Sequence, residues 1–274
     1  MAQAAERSVQ ILGIDAGGTM TDTFFVDVNG EFVVGKAQSN PEDESEALLN
    51  SAADALELWG LTPEVVLPQL VTGVYSGTSM LNRVVQRKGL RVGLIVNRGM
   101  EDFHRMGRAI QSYLGYAYED RIHLNTHRYD PPLVPRELTR GVTERVDMFG
   151  NVVIPLREDE AYQAAEELLA ADVEAVVISF LHSYKNPTHE RRVRDIVAEV
   201  AGRLGKSTPI FASPDFYPLR KESHRTNTTI LEAYAAEPSR KTLVRMSQRL
   251  KDMGAKFDLR VMASHGGTIS WNAK

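Results

Sequence analysis

The chain has 274 residues, enough to bury a sizeable core in one large or two modest domains. Its net charge of -4 and pI near 6.0 leave no electrostatic case for nucleic acid or an anionic membrane as the main partner. There is no cysteine, which excludes a disulfide framework and a thiolate site. No apolar run approaches the roughly 20 residues that span a bilayer. The start, Met1 to Arg7, lacks the apolar core of a signal peptide, so a cytoplasmic location is expected.

Ile11 to Val28 reads as an apolar strand, a glycine turn carrying hydroxyls and carboxylates, and a second strand that returns antiparallel. Gly17 and Gly18 let the backbone turn tightly and approach a ligand. Backbone N–H groups in such a turn make a concave anion site, to which the Thr19 and Thr21 hydroxyls add donors. Asp15, at a strand end, suits a hard cation such as Mg²⁺. The stretch therefore reads as a nucleotide-phosphate loop bracketed by Asp15 and Asp22. The competing reading is an ordinary hairpin with a Gly-Gly turn. A β-branched residue at position 18 is expected to fail, because it takes a positive φ poorly and would block the phosphate.

Asn29-Gly30 marks a tight turn before a third strand, Phe32 to Ala37. Ser39 or Asn40 is expected to cap a helix with Pro41 at its first position. Leu48, Leu49, Ala52, Ala55, Leu56 and Trp59 carry that helix to a stop at Gly60. Leu70 to Tyr75 predicts a short strand running into a Gly- and hydroxyl-rich turn, Ser76 to Asn82, and a helix from Arg83 to Lys88. That turn is a second place for an anion or a substrate carbonyl; capping by Thr78 or Ser79 is the competing account.

Leu90 to Val96 predicts a buried strand and Met100 to Ile110 a helix. Periodicity fails from Gln111 to Arg140, where tyrosines 113, 116, 118 and 129 mix with His123, His127 and prolines. A long irregular segment is more often functional than idle, and a subunit interface is the preferred reading. A zinc site at His123 and His127 lacks a completing carboxylate. Val142 to Val146 and Val152 to Pro155 predict a hairpin, Glu158 to Ala171 an amphipathic helix, and Ala175 to Phe180 a buried parallel strand. His182 to Pro187 forms the following loop, with His182 read as a hydrogen-bonded structural histidine in a place where open sheets hold ligands. Asn186 is expected to cap a helix completed by Arg191 to Leu204. Ile210 to Ala212 predicts a strand, Asn227 to Leu250 a helical run broken at Pro238, and Leu259 to Ala263 a last strand.

The alternation predicts an α/β fold. The opening three-stranded meander and helix resemble the ribonuclease H-like lobe shared by actin, hexokinase and the chaperone ATPases. Asp15-Ala16-Gly17-Gly18-Thr19-Met20-Thr21-Asp22 is similar to the D-x-G-G-T-x-T-D opening of the hydantoinase A/5-oxoprolinase family. Asn82 with Arg87-Lys88-Gly89, the stretch from Ser179 to Pro187 with His189-Glu190, and Met262 to Gly267 resemble three further segments of that family, in order. Within it, the stretches Asn125 to Pro132 and Met262 to Gly267 look most like the ATP-binding β subunits of acetone carboxylases.

The resemblance implies residues 8–206 as an N-terminal lobe carrying the phosphate loop and 207–274 as the start of a main domain. It implies ATP and Mg²⁺ as cofactors, with Asp15 on the metal and Gly17, Gly18, Thr19, Thr21 and Asp22 around the phosphates. Thr78 and Ser79 would contact the acceptor. The implied reaction is ATP-dependent carboxylation of a small ketone with bicarbonate, and a further divalent metal is borne by a partner subunit. The implied partners are a hydantoinase B-like α subunit and a small γ subunit.

One departure matters: hydantoinases and oxoprolinases typically read H-G-T-T-V-A-T-N where this chain has Tyr75-Ser76-Gly77-Thr78-Ser79-Met80-Leu81-Asn82. That puts cyclic-amide chemistry in doubt. An amide-ring hydrolase component and a non-catalytic assembly module remain alternatives. In the family a second phosphate loop follows the segment matched by Met262 to Gly267. The chain is therefore expected to be the front part of a longer subunit that binds ATP weakly, and does not turn it over, by itself.

Overall fold

The computed structural model describes residues 7–40, 43–106, 113, 115–127 and 131–271. The first half of the chain opens with β1 (Val9–Ala16), β2 (Met20–Asp27), β3 (Phe32–Gln38) and α1 (Glu44–Glu57). It continues through α2 (Pro63–Val66), β4 (Thr72–Gly77), α3 (Ser79–Val85), β5 (Val92–Asn97), α4 (Phe103–Met106) and α5 (Tyr118–Arg121). The second half holds β6 (Thr139–Val142), β7 (Arg145–Val146), β8 (Val152–Ile154), α6 (Glu158–Ala170) and β9 (Ala175–Ser179). It ends with α7 (Thr188–Arg203), β10 (Ile210–Ala212), α8 (Glu222–Leu231), α9 (Glu237–Asp252), β11 (Arg260–Met262) and β12 (Thr268–Ser270). Among the described residues no helix is long and apolar enough to cross a membrane.

These elements form two compact units, one of residues 1–88 with 237–274 and one of 89–236. The expected division at 206/207 follows family sequence segments, a different kind of boundary from compactness. The first unit is built on a mixed sheet in the order β12-β11-β4-β1-β2-β3. β1, β2 and β3 pair antiparallel, as short turns dictate, whereas β4 joins β1 and β11 joins β4 in parallel.

α1 lies on one face, burying Leu48, Ala52, Ala55 and Leu56 in a core with Leu12, Ile14, Phe25 and the α9 residues Leu243, Met246 and Leu250. Full burial of a leucine stabilises by roughly 1.5–3 kcal/mol, so this stripe is a main source of cohesion. At Gly35 the contact is backbone to backbone: a Cβ there would lie 2.2 Å from both Ala55 N and Ser51 O.

The second unit holds the parallel sheet β10-β9-β5-β6. β5 and β9 are buried along their whole length, which their near-continuous apolar sequences require. Beyond β9, the stretch from Ser179 to Glu190 forms a polar scaffold. Asn97 donates to the Glu144 carboxylate and accepts from the Leu181 N–H at 2.7 Å, while His189 Nδ1 lies 2.6 Å from Glu144 Oε2. Buried Glu190 accepts from the N–H groups of Phe180 and Ser213, each at 2.7 Å, and from the Ser213 hydroxyl at 2.8 Å. The fully buried Arg225 donates to Ser213 Oγ at 3.0 Å and to the Phe180 carbonyl at 2.8 Å. His182 takes a positive φ of 58°, and its buried Nδ1 has no hydrogen bond, with Glu222 Oε1 at 3.7 Å. The expected hydrogen-bonded role for His182 is therefore replaced by a strained loop position.

The other differences from expectation have local causes. The α1 cap is Asp43, which accepts from the Ser45 N–H at 3.1 Å, and not Ser39 or Asn40; Pro41 lies outside the described residues. β4 extends to Gly77 because Ser76 and Gly77 pair with Asp15 and Ala16, and α3 starts at Ser79 instead of Arg83. The helix expected from Met100 to Ile110 is described only at α4, since 107–110 lie outside the described residues. β6 arises within a stretch that has no alternating pattern, through parallel pairing with β5. The expected strand Val142 to Val146 is thereby divided between β6 and the β7–β8 hairpin. Among the aromatic stretch, Tyr113 and Tyr116 gather on His127, at ring distances of 5.5 and 6.3 Å; Tyr129 lies outside the described residues.

Gly35→Ala should force β3 off α1 and cost about 1–3 kcal/mol. Urea unfolding followed by tryptophan fluorescence checks this, since Trp59 and Trp271 both lie in the first unit. A second expectation concerns pH. Burial pushes the Glu190 carboxyl up to about 7, so the native state binds its proton more tightly than the unfolded chain. Its contribution is then present at low pH and lost as pH rises from about 4.3 toward about 7, on the order of 3 kcal/mol in all. Glu190→Gln should flatten that slope in urea unfolding followed by circular dichroism.

Candidate functional site

The β1–β2 turn is held from behind by Ser39, at the end of β3. The Ser39 N–H donates to the Thr19 carbonyl at 2.8 Å, and its hydroxyl donates to the Gly17 carbonyl at 2.8 Å. The Thr21 hydroxyl lies 2.9 Å from Ser39 Oγ and, with that proton committed, is its donor. Thr21 is 1% exposed. Its hydroxyl is thus part of the clamp and is not on the open side of the loop, which corrects the expectation of a direct phosphate contact.

Gly17 is also engaged: its N–H donates to the Met20 carbonyl at 3.0 Å. The N–H groups of Gly18 and Thr19 have no partner among the described residues, and both residues are exposed. These two N–H groups and the Thr19 hydroxyl are the donors the turn offers to an anion. Neither Gly17 nor Gly18 has a positive φ, contrary to expectation. The need for glycine is spatial at Gly17, where a Cβ would lie 2.8 Å from Met20 O; at Gly18 a Cβ would make a tight contact, 3.1 Å from the Asn82 Nδ2 side-chain atom.

Asp15 faces Asp22 across the hairpin and Ser76 across the parallel pair. Asp22 is neutralised by Lys36 Nζ at 2.7 Å. Asp15 is exposed, with no ion pair or hydrogen bond among the described side chains, at the mouth of the loop. A lone free carboxylate fits Mg²⁺, which takes one or two carboxylates and fills its shell with water and phosphate oxygens. No group of three or more His, Asp or Glu suited to a metal occurs among the described residues. His127 Nε2 instead lies 2.9 Å from the Arg121 carbonyl.

The second candidate turn meets the first. Gly17, Gly18, Ser39, Ser79, Asn82 and Arg83 line one cavity of about 200 Å³ in this unit. Glu44 and Lys88 complete its charged lining. Thr78 occupies the cap position of α3, yet its hydroxyl makes no capping bond and accepts from Asn82 Nδ2 at 3.0 Å. Ser79 Oγ lies 3.1 Å from Ser239 Oγ on α9. Tyr75 is buried, and its hydroxyl donates to Glu44 Oε2 at 2.8 Å. Burial and the adjacent Glu44 carboxylate raise the Tyr75 pKa well above its ordinary value. Tyr75 therefore shapes the cavity by holding Glu44, while Ser76 faces the Asp15 side. Ser39, Glu44 and Arg83 carry no motif of their own; only pairing across the sheet and α3 brings them to the loop.

The family profile for the hydantoinase/oxoprolinase N-terminal region matches residues 11–201, and the hydantoinase/oxoprolinase profile matches 225–274. The chain belongs to the hydantoinase/oxoprolinase family. It is 72% identical over 268 residues to the acetone carboxylase beta subunit of Xanthobacter autotrophicus, covering 98% of this chain and 37% of that one. It also superposes on the nucleotide-free structure of acetone carboxylase, with a TM-score of 0.91 at 72% identity, covering 97% of this chain and 38% of that one. The ATP-dependent caprolactamase of Pseudomonas jessenii gives a TM-score of 0.81 at 31% identity, covering 94% of this chain and 36% of that structure. The chain thus spans little more than a third of the length of these relatives.

Ser39→Ala removes both hydroxyl bonds of the clamp at a cost of about 1–2 kcal/mol. Amide exchange at positions 17 and 39, whose N–H groups donate to the Met20 and Thr19 carbonyls, should accelerate about tenfold while β5 and β9 keep their protection, as read by hydrogen–deuterium exchange.

Proposed function

We propose that the first unit is a ribonuclease H-like lobe that binds the phosphates of ATP. In this reading the chain is the nucleotide-binding part of an ATP-dependent ketone carboxylase subunit. The 72% identity to the acetone carboxylase beta subunit carries this reading. The sheet order supports the lobe: an antiparallel meander of three strands, extended in parallel by β4 and β11 beside β1, is the arrangement expected of the actin and hexokinase type. Phosphoryl transfer needs mostly positioning and charge neutralisation, which the loop is built to give. The Gly18 and Thr19 N–H groups and the Thr19 hydroxyl would receive phosphate oxygens, with the turn held rigid by Ser39 and Thr21. Asp15 would hold Mg²⁺, whose role is to neutralise charge on the phosphates, and Asp22 would stay paired with Lys36.

The substrates in this reading are a small ketone and bicarbonate, and the product is a 3-oxo acid such as acetoacetate. Thr78 and Ser79 would position the acceptor. The further divalent metal and the remaining machinery would lie on partner subunits, of hydantoinase B-like and small γ type. The exposed Tyr118 and Ile122, beside the tyrosines gathered on His127, would contribute to that contact. The division at 206/207 would separate two regions of the longer subunit. The likeness to caprolactamase favours a second reading, ATP-dependent opening of a cyclic amide.

Asp15→Asn should weaken MgATP binding at least tenfold and leave the unfolding midpoint within a degree or two, because the side chain is exposed and unpaired. Isothermal titration checks the binding. Unchanged affinity would remove Asp15 from the metal. The full carboxylase complex containing this chain should consume ATP with acetone and bicarbonate and not with caprolactam; the reverse pattern would select the amide reading.

A further inference from the structure

The cavity beside the loop is electrostatically unfinished. Arg83 has its Nε buried without a hydrogen-bond partner, and its guanidinium makes no ion pair among the described residues. Lys88, in the same lining, has no ion pair or side-chain hydrogen bond there either. The one carboxylate in the wall, Glu44, already accepts the Tyr75 hydroxyl at 2.8 Å. Asn82 and Ser79 add polar groups to the wall, so cations and donors exceed acceptors. A half-buried guanidinium with a desolvated, unpartnered N–H is unfavourable, and a carboxylate, carbonate or phosphate satisfies it with two parallel bonds.

Size and position narrow the ligand. About 200 Å³ is room for a small oxyanion with a few waters. Ala16 lines the cavity, and neighbouring side chains on a strand point to opposite faces, so Asp15 lies on the other side of β1. Gly17 and Gly18 are shared with the phosphate loop, so a nucleotide whose metal sits at Asp15, across β1, would place its phosphates beside this cavity and leave the Arg83 and Lys88 end free. We infer that the cavity lined by Arg83 and Lys88 binds a small oxyanion of the carbonate or phosphate class, separate from the nucleotide's phosphates. Its separateness rests on the nucleotide reading above; the anion site itself rests on the unpaired cations. Arg83 supplies the planar fork, Lys88 a point charge, and Asn82 a further donor to the bound anion.

The experiment uses the full chain at constant pH and ionic strength. Sodium bicarbonate or sodium phosphate replaces sodium chloride while the thermal unfolding midpoint is followed, with and without saturating MgADP. The expected result is a saturable rise with at least one of the two oxyanions, and the better one identifies the class. Arg83→Met and Lys88→Met should each weaken that response at least tenfold, and Arg83→Lys, which keeps the charge but loses the fork, several-fold. MgADP should add its own rise without displacing the anion. No rise beyond that in chloride, or a full response in Arg83→Met, would overturn the site. If Arg83→Met is too unstable in chloride to read, Lys88→Met and Arg83→Lys decide, and wild-type responses in both would overturn it. Competition between MgADP and the anion would make the cavity the nucleotide's own phosphate end and overturn the inference of a separate site. An anion response without any MgADP response would instead defeat the nucleotide reading and leave the anion site standing.

Discussion

The register of β1 between β2 and β4 is the constraint on which the first unit depends. Asp15 stands opposite Asp22 on one side and Ser76 on the other, and Ile14 stands opposite Thr23 and Tyr75. A slip of one residue in either pair would exchange the two faces of the strand. Ile14 and Ala16 would leave the core, Asp15 would enter it, and Tyr75 would lose Glu44. The same register brings the β1–β2 turn and the start of α3 to one end of the sheet, so both candidate segments of the sequence share one cavity wall.

Around that register the loop is rigid for reasons that lie outside the loop. Ser39 is far from Gly17 in sequence, yet it takes up the carbonyls of Gly17 and Thr19 and leaves the N–H groups of Gly18 and Thr19 without partners. A donor set held in advance of binding needs little reorganisation when an anion arrives, and this favours both affinity and phosphoryl transfer. The two sides of the turn then differ chemically. One presents the free Asp15 carboxylate; the other opens on Arg83 and Lys88.

The second unit shows how family-like sequence can serve architecture. The stretch from Ser179 to Glu190, which stands out in the sequence, ends in Asn97, Glu144, His189, Ser213 and Arg225 bonded to one another or to the backbone. Such a buried network stays stable only while every member is satisfied, so its residues are as constrained as those of a binding site. The demands of this network are by themselves enough to hold the family resemblance across these positions.

The elements with strong local signals were legible in the sequence: the opening hairpin, β5, β9 and the amphipathic helix α6, together with the glycine-hydroxyl turn and the family. These rest on alternation, apolar runs and glycine chemistry that act within a few residues. The sequence also placed Asp15, Gly18 and Thr19 at the turn. Long-range packing alone turns Thr21 inward to Ser39, brings Asn82 close against Gly18 and makes β6 a strand at all. It alone brought Arg83 to the loop and tied Tyr75 to Glu44. Each of these depends on contacts between residues distant in the chain, formed when β4 and α3 pack against β1 and α1, or β6 against β5, and no local pattern records which partner a side chain will meet.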